Sequence, residues 1–234
     1  MTDEPKTIAF VLYPGLTLLD LAGPLQVLGA LSELGMPYRA VTVAERKEPM
    51  GTDTPLSLLA THTFAEVPRP AAVMVPGGGA PTMRALTDET LLSYLRGAAE
   101  SAEFMTSVCT GAMILGAAGL LEGREATTHW LFLESLKEFG ATPARKRWVE
   151  DGPMITAAGV SAGIDLALHL VGRIAGDEVQ RGVQFMIEYD PEPPLGPLDW
   201  SAPPRELFQQ WMESSLRQGL EGHPELLARL LVHV

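Results

Sequence analysis

The strongest constraint on how this chain can fold is its alternation of short, almost wholly apolar runs with longer stretches carrying apolar residues at helical spacing. Residues 7–13 (TIAFVLY), 71–75 (AAVMV) and 104–108 (FMTSV) are β-rich runs with no charged residue. A strand with one face in water alternates polar and apolar residues. One covered on both faces reads as continuous, and that is the signature of a parallel sheet under helices. Residues 38–44 and 153–157 read as further strands, as do 126–128 and 146–149. Residues 18–34, ending at Gly35, read as a helix, and a second starts at the cap-forming Thr87-Asp88-Glu89 and runs to about 102. Stretches 112–121, 130–139, 161–174 and 177–187 read as the remaining helices, and 48–59 as a small hairpin. Strand–helix alternation of this kind predicts an α/β fold with a mostly parallel sheet.

Proline breaks the pattern at Asp190-Pro-Glu-Pro-Pro-Leu-Gly-Pro and Ala202-Pro-Pro. Residues 1–195 are therefore expected to form one α/β domain. Residues 196–234 are expected to form an amphipathic helical tail, packed on the body or on a partner subunit.

Charge and cysteine usage narrow the function. A formal net charge of −12 repels phosphate, so neither nucleic acid nor an anionic membrane is expected as a partner. The one local gathering of positive charge, Arg145-Lys146-Arg147, reads as a solvated strand or loop edge. No uninterrupted apolar segment approaches the ~20 residues that span a bilayer, and the first six residues lack the order of a signal peptide. The single cysteine excludes an internal disulfide and a cysteine-rich zinc cage, and a reducing cytoplasm is the expected setting.

Ligands of open parallel sheets bind beyond the carboxyl ends of the strands. Three features fall there: Asp20, the Gly77-Gly78-Gly79 run and Cys109. Cys109 stands where a strand passes into a helix, whose N-terminus is expected to stabilise the thiolate, the nucleophilic form. It reads equally as a buried structural thiol. Asp20 lies in the apolar stretch LTLLDLAGPL. It reads either as a desolvated general acid/base or as a helix N-cap. The glycine run is a turn or, with the Thr110 N–H, a two-donor anion hole. His129 is a possible base for Cys109, although a packed polar side chain is the plainer reading.

The segments Thr106-Ser-Val-Cys-Thr-Gly-Ala, Leu19-Asp-Leu-Ala-Gly-Pro, Val75-Pro-Gly-Gly-Gly and Gly159-Val-Ser-Ala-Gly-Ile-Asp together resemble the ThiJ/PfpI superfamily. The resemblance covers roughly residues 7–195. It implies a class I glutamine-amidotransferase-like, flavodoxin-like three-layer sandwich with a nucleophile elbow. Within the superfamily the chain looks most like the bacterial isonitrile (isocyanide) hydratases, lyases that add water to R–N≡C to give an N-substituted formamide. Those enzymes are homodimers without metal or organic cofactor. Carried over by position, Cys109 matches the nucleophile, Asp20 the acidic residue that contacts it, and Gly78 and Thr110 the backbone donors beside it. Thr110 stands where protease-like members often place a histidine, which makes an amide-hydrolysing dyad doubtful. His129 matches a histidine of the hydratase pattern without thereby becoming catalytic.

The expected chemistry is attack of the Cys109 thiolate on the isocyanide carbon, with Asp20 in its acid form delivering the proton. Asp20 as base then activates water against the resulting thioimidate. Two other readings share these motifs. One is the ligand-sensing domain of AraC-type transcription regulators, although no basic recognition helix is visible after Pro194. The other is a deglycase or glyoxalase-like stress enzyme using the same cysteine.

Overall fold

The structure, a computed structural model, describes residues 4–234. The first three residues, part of the stretch read for a signal peptide, lie outside that range. In chain order the elements are β1 (Lys6–Val11), α1 (Leu18–Glu33), β2 (Tyr38–Ala44), β3 (Met50–Gly51), β4 (Ser57–Leu58) and β5 (His62–Thr63). These are followed by β6 (Ala72–Val75), α2 (Ala80–Ala85), α3 (Glu89–Ala99), β7 (Phe104–Ser107), α4 (Gly111–Ala117), β8 (Glu125–Ala126) and β9 (Thr142–Pro143). The chain closes with β10 (Trp148–Asp151), β11 (Met154–Ala157), α5 (Ala162–Ala175), α6 (Asp177–Met186), α7 (Gln209–Gly219) and α8 (Pro224–Leu231).

Seven strands form the central sheet in the order β10-β11-β7-β6-β1-β2-β5. Its central strands are apolar for the reason anticipated: every residue of β6 and β11 is buried, as are Ile8 to Val11 of β1. Helices α1, α5 and α6 pack together on one side, and α2, α3 and α4 on the other. The result is a flavodoxin-like three-layer α/β fold, parallel everywhere except at β10, which runs antiparallel to β11.

Three local readings change. The strand expected at 126–128 shrinks to β8, which pairs with β9 outside the main sheet. There, side chains rather than a ladder satisfy the backbone: the Thr127 N–H donates to Thr156 Oγ1 at 2.9 Å. The strand expected at 146–149 starts two residues later, as β10. The helix expected at 130–139 is two 3₁₀ segments, Trp130–Phe132 and Glu134–Phe139. Buried Leu133 and Leu136 sit three apart, a spacing that a 3₁₀ helix places on one face. The short α2 and the edge strand β5 had no sequence expectation. In the tail, α7 packs on α2 and buries Met212 and Leu216.

Candidate active site

Cys109 follows β7 and precedes α4, and its backbone is left-handed, with φ of 56°. A side chain with a Cβ rarely adopts this conformation, so the surroundings must hold it. Its N–H donates to Ala158 O at 2.9 Å, and its carbonyl accepts from Thr128 Oγ1 at 2.7 Å. Two segments distant in sequence thus clamp the turn. At the next position but one, Gly111 comes so close to the end of β6 that a Cβ there would lie 2.2 Å from Val75 O. The elbow is therefore pressed directly against the loop that follows β6.

That loop, Pro76-Gly77-Gly78-Gly79, organises the carboxylate. Asp20 sits in the first turn of α1 and is fully buried. Its Oδ2 accepts from the Gly77 N–H at 2.9 Å, and its Oδ1 has no hydrogen-bond partner. The carboxylate does not cap its own helix. The carboxylate that reaches in to the start of α1 is Asp53 of the β3–β4 hairpin, whose Oδ1 accepts from the Leu18 N–H at 2.9 Å. Only glycine fits at 77, because a Cβ would lie 2.5 Å from Thr110 N. Buried Tyr13 steadies the same loop, its hydroxyl donating to Pro76 O at 2.9 Å and meeting Thr82 Oγ1 at 2.8 Å.

Burial raises the Asp20 carboxyl to about 7, and the nearby charge of Asp53 adds to the effect. The Gly77 N–H and the Cys109 thiol pull the other way, which puts thiol and carboxyl within each other's influence. The Cys109 thiol is itself pushed well above its ordinary value, first by burial and then by the Asp20 charge. The N–H groups of Val160 and Thr110 and the Thr110 hydroxyl oppose this without cancelling it. Burial thus works against the thiolate expected from the helix N-terminus. Desolvation opposes the helix end and raises both groups, so thiol and carboxyl titrate as a coupled pair.

The pairing of Gly78 with Thr110 as anion donors, expected from the sequence, also changes. The Gly78 N–H donates to Thr110 Oγ1 at 2.8 Å, and that hydroxyl donates back to Gly78 O at 2.7 Å. Gly78 is thus occupied in binding Thr110, and the backbone donors beside the sulfur are Thr110 and Val160. Val160 and Gly77 had no individual role in the sequence reading, although both lie within its quoted motifs. His129 is neutral, lowered to about 4 by burial, and its Nδ1 accepts from Leu131 N–H at 3.4 Å. It is a packed cap rather than a base poised for Cys109. Among the described residues no group of three or more His, Cys, Asp or Glu could hold a metal ion, and no helix is long and apolar enough to cross a membrane.

A cleft of about 510 Å³ lies against the elbow. Its wall includes Leu19, next to Asp20; Thr128, bonded to the Cys109 carbonyl; and Val160, beside the sulfur. Trp130 and Trp200 form its aromatic side, their rings edge-on with centroids 6.0 Å apart.

Several known proteins are similar to this chain. An isonitrile hydratase of Pseudomonas putida is 41% identical over 190 residues, 80% of either chain. The crystal structure of a ThiJ/PfpI family protein from Pseudomonas syringae matches 98% of this chain and 90% of its own, with a TM-score of 0.80 and 33% identity. The HTH-type transcriptional regulator GbdR of Pseudomonas aeruginosa is 29% identical over 192 residues, but this chain spans only 52% of its length. The model of the DJ-1/PfpI family matches residues 6–173. With the elbow, the glycine loop and the flavodoxin-like sheet all in place, the chain belongs to the DJ-1/PfpI family.

Proposed function

We propose that this protein is an isonitrile hydratase that converts R–N≡C and water to R–NH–CHO, using Cys109 as nucleophile and Asp20 as proton carrier. The observation that carries the reading is the buried thiol–carboxyl pair on a strained elbow, in a chain 41% identical to an isonitrile hydratase. Burial favours the thiol over the thiolate, so in this scheme the reaction starts from thiol and carboxylate, and the order of proton transfers differs from the sequence expectation. Asp20 carboxylate takes the thiol proton as sulfur attacks the terminal carbon. It then delivers that proton to the same carbon, so that an S–C and a C–H bond form and the product is a thioimidate, Cys109–S–CH=N–R.

Water adds to the C=N bond next. Asp20 takes a proton from the water and passes it to nitrogen, giving Cys109–S–CH(OH)–NH–R, and Thr110 and Val160 N–H groups lie beside the sulfur as its charge changes. On collapse Asp20 takes the hydroxyl proton as the carbonyl forms and hands it to the departing sulfur. The proton count closes with one water consumed, and no histidine is needed. On this reading the substrate is a small molecule, and the protein works as a cytoplasmic homodimer.

Incubation with cyclohexyl isocyanide should yield N-cyclohexylformamide at a rate that Cys109→Ala abolishes, and mass spectrometry of quenched wild-type enzyme should find the thioimidate on Cys109. Near-normal hydration by Cys109→Ala would refute the covalent scheme. The 29% identity to a transcription regulator supports a second reading as a ligand-sensing unit. That reading predicts specific DNA binding, where the hydratase predicts none.

A further inference from the structure

The cleft beside Cys109 has a one-sided electrostatic character that hydration of an isocyanide does not require. Arg145, Lys146 and Arg147 all border it, and no aspartate or glutamate does. This occurs in a chain whose formal net charge is −12. The basic run was expected to be a solvated edge. It is exposed, but its backbone is held against the cleft. The Ala144 N–H donates to Ala126 O at 2.8 Å, Thr127 Oγ1 to Lys146 O at 3.3 Å, and Ala158 N–H to Arg147 O at 3.0 Å.

The three cations are not equivalent. Lys146 is paired with Glu125 at 2.8 Å, and Arg147 with Asp165 at 2.6 Å. Arg145 has no carboxylate within 4.0 Å among the described residues. Glu134 feels its charge, but that carboxylate is paired with Lys137 at 2.7 Å. A guanidinium offers a fork of donors matched to a carboxylate. Here the fork borders a cleft whose other walls include Trp130, Trp200 and the residues that touch the nucleophile's turn, Thr128 and Val160.

We propose that the enzyme's substrates are isocyanides carrying a carboxylate, bound with the isocyanide carbon at Cys109, the apolar body against Trp130 and Trp200, and the carboxylate on Arg145. This rests on the hydratase reading for the reacting group and on the cleft alone for the anion. The protein's overall negative charge opposes any anion at long range, so a preference for one must come from local contacts.

The test compares 4-isocyanobutanoate with its methyl ester. The acid should have the higher kcat/KM, and Arg145→Ala should lower the acid-to-ester ratio about tenfold or more, the range for losing a charge-assisted hydrogen bond. Arg145→Lys should restore part of that ratio, and added salt should erode it. Equal kcat/KM for acid and ester in the wild type, or an unchanged ratio in Arg145→Ala, overturns the proposal. A parallel titration of tryptophan fluorescence with N-formyl-4-aminobutanoate and its methyl ester reads the anion site without turnover. If neither isocyanide is hydrated, the hydratase reading fails and this titration decides the anion site by itself. Tighter binding of the acid that Arg145→Ala abolishes sustains the site, and equal binding of acid and ester rejects it.

Discussion

Replacing Asp20 with asparagine should inactivate the enzyme and at the same time stabilise it at alkaline pH. The carboxyl titrates near 7 in the fold, where burial penalises its ionised form, and its ordinary value is 3.8. The folded chain therefore holds a proton that the unfolded chain has released throughout the interval between these values. Stability from this group is present in full below the unfolded value and is lost as pH rises through the folded one. The total loss is about 4 kcal/mol at about 1.4 kcal/mol per pH unit, and about 3 kcal/mol of it falls between pH 5 and pH 8. Asparagine keeps the shape and an oxygen for the Gly77 N–H, but has no charge to desolvate. Urea unfolding of both proteins at pH 5 and pH 8 measures the effect, because titrating groups that Asp20 does not influence are common to the two and cancel. The advantage of Asp20→Asn over wild type should grow by about 3 kcal/mol across that interval. A difference that stays constant within about 1 kcal/mol would show that Asp20 is not the desolvated acid described here.

Three further outcomes follow from the same geometry. In the active form thiol and carboxyl share one proton, so kcat/KM for isocyanide hydration should rise with pH to a plateau above about 7; a rate that falls as pH rises through 7 would instead require Asp20 as the starting acid. Thr110→Val strips both the donor and the acceptor from Gly78 in a buried loop, and should cost about 2–4 kcal/mol in urea unfolding while lowering turnover. An intact midpoint would show that Gly78 finds other partners. His129, held neutral by burial, should show no change in its ring proton resonances between pH 5.5 and 8, whereas titration near 6.5 would reopen its candidacy as a base.

Much of the architecture was readable from local chemistry. β1, β6, β7 and β11 coincide within one or two residues with apolar runs in the sequence, because a strand covered on both faces has no polar alternation to lose. Asp88 as the cap of α3 was legible for a similarly local reason: its side chain accepts from Leu91 N–H, three residues on. The elements that went unread are those whose identity rests on a distant partner. β5 is two residues long and is a strand only because β2 lies beside it. β8 is cut short because Thr127 and Thr128 are tied to Thr156 and Cys109.

At the site, the sequence alone determined which chemical groups are present and that they meet. Asp20, the glycine loop and Cys109 each end a strand or begin a helix at one sheet edge, and a parallel sheet brings such positions together. Only the tertiary structure decided what state those groups are in. Whether the Cys109 thiol is lowered by a helix end or raised by desolvation depends on how completely other segments exclude water from it, and the exclusion is nearly complete. Whether Gly78 donates to a substrate or to Thr110, and whether Arg145 faces a carboxylate or an open cleft, depends likewise on partners tens of residues away. Motif order carries no information about such partners, because protonation and hydrogen bonding follow distance and burial in space, not neighbourhood along the chain.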